Sequence, residues 1–390
     1  MSDDRLIAAI EARRDALFED LRWHVDTPTG GNNLDAIEAS RERIIERLHA
    51  VGGRTSYTPG NPRPEWMGGN DAIPRSSLTE GPAGRGPRVL VAGHLDTVHD
   101  PASDFRSLTV VDDTRATGPG CVDMKGGLVI ALHAIEALHE VGEHVSWSFF
   151  LNADEETGTY HSDGALRAAS GEHDFGIALE PALAGGELAV ERAGSGQFMV
   201  EVEGRSAHVG RAFSEGVSAV TKLGEVIVAC GAMPDADRGK IVNIGPISGG
   251  AATNAVPDEA RAWGNVRFHE PEVAEELARE LDALATSGPS LPAVRVHRSF
   301  NRPAKPLIEG TRRLAELARS SAESLGQSLP FAKTGGVCDG NIMQDAGLPT
   351  IDTLGVRGGG LHTPDEWIEL PSLVERCQLL AVLLRRLSQQ

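Results

Sequence analysis

No apolar run in this chain approaches the roughly 20 residues needed to span a bilayer, so no membrane-embedded helix and no membrane partner is expected. The N-terminus, MSDDRLIAAIEARRDALFEDL, carries acids and arginines throughout and lacks the apolar core of a signal peptide; the expectation is a cytoplasmic protein. Cysteine is scarce. Cys121, Cys230, Cys338 and Cys377 form no C-x-x-C pair and no regular framework, which argues against a disulfide-stapled scaffold and agrees with a reducing compartment. Positive charge is short as well: 37 Lys and Arg stand against 56 Asp and Glu, a formal net charge of −19. Phosphate binding rests on Lys and Arg, so no nucleic-acid partner is expected.

What remains is an ordinary soluble composition, 40% hydrophobic and 24% charged, in 390 residues. That length exceeds one core and favours two domains. Residues 3–23 and 33–50 have helical periodicity, and residues 56–87, rich in Gly, Pro and Ser, read as a long surface loop around Trp66. PRVLVAGHLDTV, HVSWSFFLNADEE and DFGIALEPAL are apolar runs of the kind found in strands buried on both faces. A helical segment, MKGGLVIALHAIEALHEVG, lies between the first two. Strand, helix, strand order predicts a mainly parallel, helix-covered α/β sheet whose functional groups gather beyond the carboxyl ends of its strands.

From about residue 186 the pattern changes. ELAVERAGSGQFMVEVEGRSAH reads as two alternating strands with a Gly-Ser-Gly turn near 194–196; a helix at 214–231, further strands and the helix PEVAEELARELDALA follow. These elements predict a small α+β domain over 186–300, inserted into a discontinuous larger domain of 1–185 and 301–390.

Five potential metal ligands stand at the ends of predicted strands or in turns: His94, Asp123, Glu156, Glu180 and His362. In GHLDT, His94 and Asp96 are two apart and leave one face of an extended chain, so Asp96 is placed to hold the second imidazole nitrogen. GPGCVDMKGG puts Asp123 where a glycine-rich turn enters a helix; alone it would equally suit a helix cap. NADEETG ends a strand in three consecutive acids, whose repulsion is costly without a nearby cation. Adjacent side chains there can serve different ends, Glu156 holding metal while Glu155 faces a water as general base. Glu180 closes an apolar run where an unpaired charge is expensive, and His362 rides on a glycine-rich loop. A solvated acidic loop or a satisfied strand-end histidine explains each residue singly, but not the set.

The motifs GHLDTV, GPGCVDMKGG, NADEETG, ALEPA, GRSAHVG and GGGLHTPDEW, in that order over about residues 88–385, resemble the di-zinc exopeptidase and deacylase family. Its members include glutamate carboxypeptidase, acetylornithine deacetylase, succinyl-diaminopimelate desuccinylase and aminoacylases. The resemblance implies two Zn2+ per subunit, with Co2+ or Mn2+ as substitutes. His94, Asp123 and Glu180 would surround one and Asp123, Glu156 and His362 the other, with Asp123 bridging. It implies Glu155 as general base, Asp96 as support for His94, and His208 reaching a partner subunit's site to stabilise an oxyanion. Asn254, Arg267 and Arg302 match substrate-carboxylate contacts, and the inserted domain matches a lid that makes a homodimer. The likeness is greatest to the glutamate carboxypeptidase branch. Cys338, Asn341 and the 56–87 loop depart from it and put the substrate in doubt.

The expected reaction is hydrolysis of an amide next to a carboxylate-bearing amino acid, in a small peptide or an N-acyl amino acid. A deacylase is the alternative, and a non-catalytic metal-binding protein of the same fold a third. A single-metal aminopeptidase fits less well with both Glu156 and Glu180 in place.

Overall fold

In a computed structural model of the protein, which describes residues 3–31 and 33–390, the chain divides into two compact units. The first comprises residues up to Glu191 together with Leu307–Thr334 and Cys338–Gln390; the second comprises Arg192–Pro306 and Gly335–Val337. The sequence had placed the junctions at 185/186 and 300/301, and nothing in its pattern marked 335–337 as part of the inserted unit.

The first unit begins with helices α1 (Asp3–Glu11), α2 (Arg14–Asp26) and α3 (Leu34–Ala50). The periodicity over 3–23 therefore covers two helices with a break at residues 12–13, and the second runs on to Asp26. Its sheet contains β1 (Arg54–Thr58), β2 (Ser76–Glu80), β3 (Arg85–His94), β4 (Val145–Asn152) and β5 (Phe175–Ala178), plus the two-residue strand Thr350–Ile351. The order is β1-β2-β4-β3-β5 and then 350–351; β4, β3, β5 and 350–351 run parallel, and β2 and β1 add an antiparallel edge.

Alternation explains why the central strands β3, β4 and β5 are largely apolar. Val89 and Val91 of β3 join the large core on one face, with α1 to α3, α4 (Gly126–Glu140) and the C-terminal helix Pro371–Leu387. Leu90 and Ala92 join the smaller core on the other face, beneath α5 (Asp163–Gly171) and the helix Asp339–Asp345. Each fully buried aliphatic side chain contributes roughly 1.5–3 kcal/mol to this arrangement.

The loop expected over 56–87 is thus corrected: residues 76–80 form a buried strand within the sheet. SSLTE hides in sequence because it has one apolar residue, yet Ser76, Ser77 and Thr79 are buried. Polar partners offset that burial. Arg41, itself fully buried, donates to Ser77 Oγ, the Leu151 carbonyl and the Arg75 carbonyl, and Thr55 and Thr79 hydroxyls pair at 2.8 Å.

In the second unit β6 (Gly194–Glu203), β7 (Ile241–Gly249), β8 (Glu259–Phe268) and β9 (Ala293–Arg302) form an antiparallel sheet of order β7-β8-β6-β9. Helices α6 (Ala219–Gly231) and α7 (Pro271–Asp282) pack on it around Phe198, Val200, Leu223, Val266 and Leu277. No turn interrupts Gly194–Gly196, which is continuous strand. A Cβ on Gly194 would lie 2.1 Å from the Phe268 ring and one on Gly196 2.1 Å from the Phe300 ring, so these glycines make room for aromatic packing. The helix expected from 214 starts at Ala219, where the Ser218 hydroxyl accepts the Thr221 N–H and caps it.

Candidate metal centre and carboxylate-binding residues

His94 is the last residue of β3, Glu155 and Glu156 follow β4, and Glu180 follows β5, so the parallel sheet delivers all four from one edge. Asp123 comes from the turn before α4. A small antiparallel sheet holds that turn beside the His362 loop, since Arg115–Thr117 pairs with Trp367–Glu369, which pairs with Gly358–Gly359.

One atom each from His94, Asp123 and Glu156 lies within 4.8 Å of the others. His94 is 1% exposed, and its Nε2 faces Asp123 Oδ1 at 3.3 Å and Glu180 Oε1 at 4.0 Å. His362 Nε2 lies 3.4 Å from Asp123 Oδ2 and 3.3 Å from Glu156 Oε2. Asp123 therefore turns one oxygen toward each imidazole. His362 has φ +62°, a left-handed conformation disfavoured for any side-chain-bearing residue and often held at functional positions.

Asp96 meets His94 with two groups. His94 Nδ1 donates to the Asp96 backbone carbonyl at 2.9 Å and lies 3.6 Å from its carboxylate, which also accepts the N–H groups of Glu155 and Glu156. Because a carbonyl only accepts, Nδ1 carries a proton, and Nε2 is the nitrogen turned to the carboxylates, free to bind a cation once it is deprotonated.

That arrangement is electrostatically incomplete. Burial opposes a charged His94, yet Asp123 and Asp96 outweigh it and hold its pKa well above the ordinary value. Burial would raise the Asp123 carboxyl, but His362 and His94 draw it far below its usual range. Burial pushes Glu156 up to about 7 against the opposing hydrogen bond from His362, with Asp123 and Glu155 adding to the rise. His362 is raised to about 10 by Asp123 and Glu156. Protons thus stand where positive charge is needed. Buried polar atoms are nearly always paired, but among the described residues His94 Nε2, Asp123 Oδ1 and Glu156 Oε1 have no hydrogen-bond partner. A divalent cation would satisfy all three, and a set of imidazoles and carboxylates suits Zn2+, Co2+ or Mn2+.

A cavity of about 300 Å3 adjoins Asp96 and Glu156 and is lined also by Leu34, Ile37, Arg63 and His161. Arg63 belongs to the loop between β1 and β2; half-buried Trp66 is not among the lining residues.

The second unit holds the other predicted residues. Arg267 of β8 and Arg302 of β9 both stand opposite Ser195 of β6, placing two guanidinium groups on one sheet face. Burial and the Arg302 charge lower the pKa of Arg267, and its buried Nη1 has no hydrogen-bond partner among the described residues. His208 and Asn254 meet at a two-stranded ribbon, where Asn254 accepts the Val209 N–H at 3.1 Å and His208 pairs with Ala255. His208 is exposed; its Nδ1 accepts the Gly210 N–H, which leaves Nε2 as a donor.

The sequence reasoning missed the supports behind the ligands. Buried Glu366 binds the Asp123 turn, and buried Lys125 donates to the Thr27 carbonyl at 3.0 Å. Asp339 accepts from Asn152 and Thr159 at 2.7 Å on either side of the acidic loop. For Glu366 and Lys125 the sequence signal is a charged residue inside a ligand motif; Asp339 lies outside all of them.

A cluster of candidate metal ligands at the carboxyl end of a helix-covered parallel sheet is the layout of an α/β metallohydrolase. The chain belongs to peptidase family M20/M25/M40, whose model matches residues 90–386, and it is a hydrolase of that family. Among curated relatives it is 25% identical to carboxypeptidase G2 of Pseudomonas sp. (strain RS-16) over 98% of this chain and 92% of that protein. It is 29% identical to a succinyl-diaminopimelate desuccinylase of Methylobacterium nodulans over 74% of this chain and 77% of that one. Its fold matches the crystal structure of a Staphylococcus aureus tripeptidase with a TM-score of 0.76, at 22% identity, covering 97% of this chain and 99% of the other.

Proposed function

We propose that the protein cleaves the amide that joins a carboxylate-bearing amino acid to a small substrate, as a carboxypeptidase releasing C-terminal glutamate or a similar residue. The observation that carries this reading is the arginine pair flanking Ser195, two repelling cations with a partnerless buried Nη1 that a substrate carboxylate would satisfy. The similarity to carboxypeptidase G2 over nearly the whole chain supports it. Asn254 would add a polar contact to the same substrate.

His94, Asp123 and Glu180 would hold one divalent ion and Asp123, Glu156 and His362 a second, with Zn2+ the best fit to the donors. Such ions supply Lewis acidity toward the amide carbonyl and lower the pKa of water. Glu155 takes a proton from the attacking water and returns it to the departing amine. Asp96 fixes the backbone of Glu155 and Glu156 through its two accepted hydrogen bonds. His208 would donate from Nε2 to the oxyanion that develops in the partner subunit's site.

The second unit, as lid and dimerisation domain, would supply a homodimer contact. Strand β7 is an edge strand with exposed Ile241 and Ile247, next to exposed Val220 and Val228 of α6, and such edges favour pairing with a second copy. No helix among the described residues is long and apolar enough to cross a membrane, and we place the protein in the cytoplasm.

The desuccinylase relative favours a second reading, an N-acyl-amino-acid deacylase using the same metals and arginines. A screen of zinc-loaded protein on folyl-glutamates and acyl-peptides, against N-acetyl and N-succinyl amino acids, separates the two. The carboxypeptidase reading expects the higher kcat/KM on the first group; a clear preference for the simple acyl amino acids overturns it.

A further inference from the structure

Glu366 lies four residues after His362 and is 1% exposed. Its Oε2 accepts the Gly120 N–H at 2.9 Å and sits 2.6 Å from His99 Nε2; its Oε1 accepts the N–H groups of Val122 and Asp123 at 3.0 Å each. The backbone adds to this, since the Glu366 carbonyl accepts the Gly118 N–H and Trp367 pairs with Thr117. His99 is itself fixed. Phe105 meets its ring edge-on at 5.1 Å, and its carbonyl packs so close to Gly30 that a Cβ there would lie 1.6 Å away.

One carboxylate therefore reaches three loops: the one following His94 and Asp96, the turn ending at Asp123, and the loop carrying His362. We propose that Glu366 is the positioning residue of the metal centre, with His99 as the partner that orients it. By gathering three consecutive-turn amides onto two oxygens, it sets the backbone from which the Asp123 side chain departs. It also holds Asp123 at a constant distance from the His362 loop, so the two ligands facing each other across Asp123 Oδ2 cannot drift independently. The ligand set is thereby prearranged before any ion arrives. This extends the metal-centre reading given above and rests on it for its functional meaning, while the anchoring itself does not.

Glu366→Gln keeps the shape but replaces an accepting oxygen with an amide donor that opposes the Gly120 N–H or His99. Zinc affinity, measured by competition with a chromophoric chelator, should weaken by about 10- to 100-fold, the usual cost of losing a support behind a metal ligand. At saturating zinc KM should be unchanged, with kcat largely recovered. In metal-free protein, amide hydrogen exchange at residues 120–123 should quicken by about tenfold or more, while Glu136→Gln, which changes a half-buried carboxylate on the far part of α4, leaves those amides as in the parent. Folded Glu366→Gln protein with parental exchange at 120–123 overturns the proposal. If Glu366→Gln does not fold, His99→Gln stands in its place, and parental exchange at 120–123 in that variant overturns it equally. Should the parent bind no zinc, cobalt or manganese, the metal-centre reading fails, and the exchange experiment still decides the anchoring role.

Discussion

Loading the centre with divalent ions should expel protons, and the structure gives the number. Without metal, His94 and His362 both have raised pKa values, His362 to about 10, and Glu156 is raised to about 7. At pH 7 the cluster therefore carries a proton on each imidazole and about half a proton on Glu156. Ligands must be deprotonated to bind, so full loading releases about two to three protons. The sign is fixed by the direction of the shifts. Groups with raised pKa hold protons below that value, protons compete with metal, and affinity falls as pH falls. Each proton is worth about 1.4 kcal/mol per pH unit, so the overall binding constant should drop roughly 100- to 1000-fold between pH 7 and pH 6. Above pH 7 Glu156 no longer contributes and the slope becomes shallower. Isothermal titration calorimetry in buffers of different ionisation enthalpy reads the proton count from the buffer dependence of the apparent enthalpy. A buffer-independent enthalpy at pH 7, or proton uptake on binding, would refute the reasoning.

Other outcomes follow from single residues. Glu155→Gln should keep its metal, measured by mass spectrometry, and lose about 10²- to 10⁴-fold in kcat, the range for a missing general base; full activity with full metal content removes Glu155 from the mechanism. Arg267→Leu should raise KM by about tenfold or more on substrates with a free α-carboxylate and leave rates on the matching carboxamides nearly unchanged. A lysine in place of exposed Ile247 should convert a homodimer to monomers by light scattering, because it puts charge on the proposed β7 edge contact. Arg41→Met strands the Leu151 and Arg75 carbonyls, and about 3 kcal/mol should be lost, or roughly 6–12 °C in Tm by calorimetry.

The fold was legible where hydrophobicity speaks unambiguously. Runs such as VLVAG and WSFFL cannot be solvated on either face, so a parallel sheet and the ends of its strands follow from them directly. Residues 76–80 were not legible because their burial depends on Arg41, a residue 35 or more positions away whose guanidinium only tertiary structure brings near. Gly194 and Gly196 imitated a turn, since the rings that require them, Phe268 and Phe300, lie on other strands. At the site, residue type and strand position brought out His94, Asp123, Glu156, Glu180 and His362. The way Asp96 meets His94 through its carbonyl is a matter of local conformation that spacing does not encode. Glu366 stood in plain view in LHTPDEW, but its reach to the Asp123 turn depends on the pairing of 115–117 with 367–369, which the sequence pattern does not encode.

The two histidines of the centre differ in one respect that bears on its chemistry over time. His94 is sealed in the protein interior, whereas the His362 side chain is 55% exposed on a loop that follows Gly358, Gly359 and Gly360. Solvent reaches the imidazole on the His362 side of the centre far more than the one on the His94 side. The ion on the His362 side should therefore be the labile one, lost first on dialysis and replaced first when another metal is offered, so that partly loaded, mixed-metal protein becomes a natural preparation. Differences in activity between batches would then reflect the history of a single outward-facing imidazole.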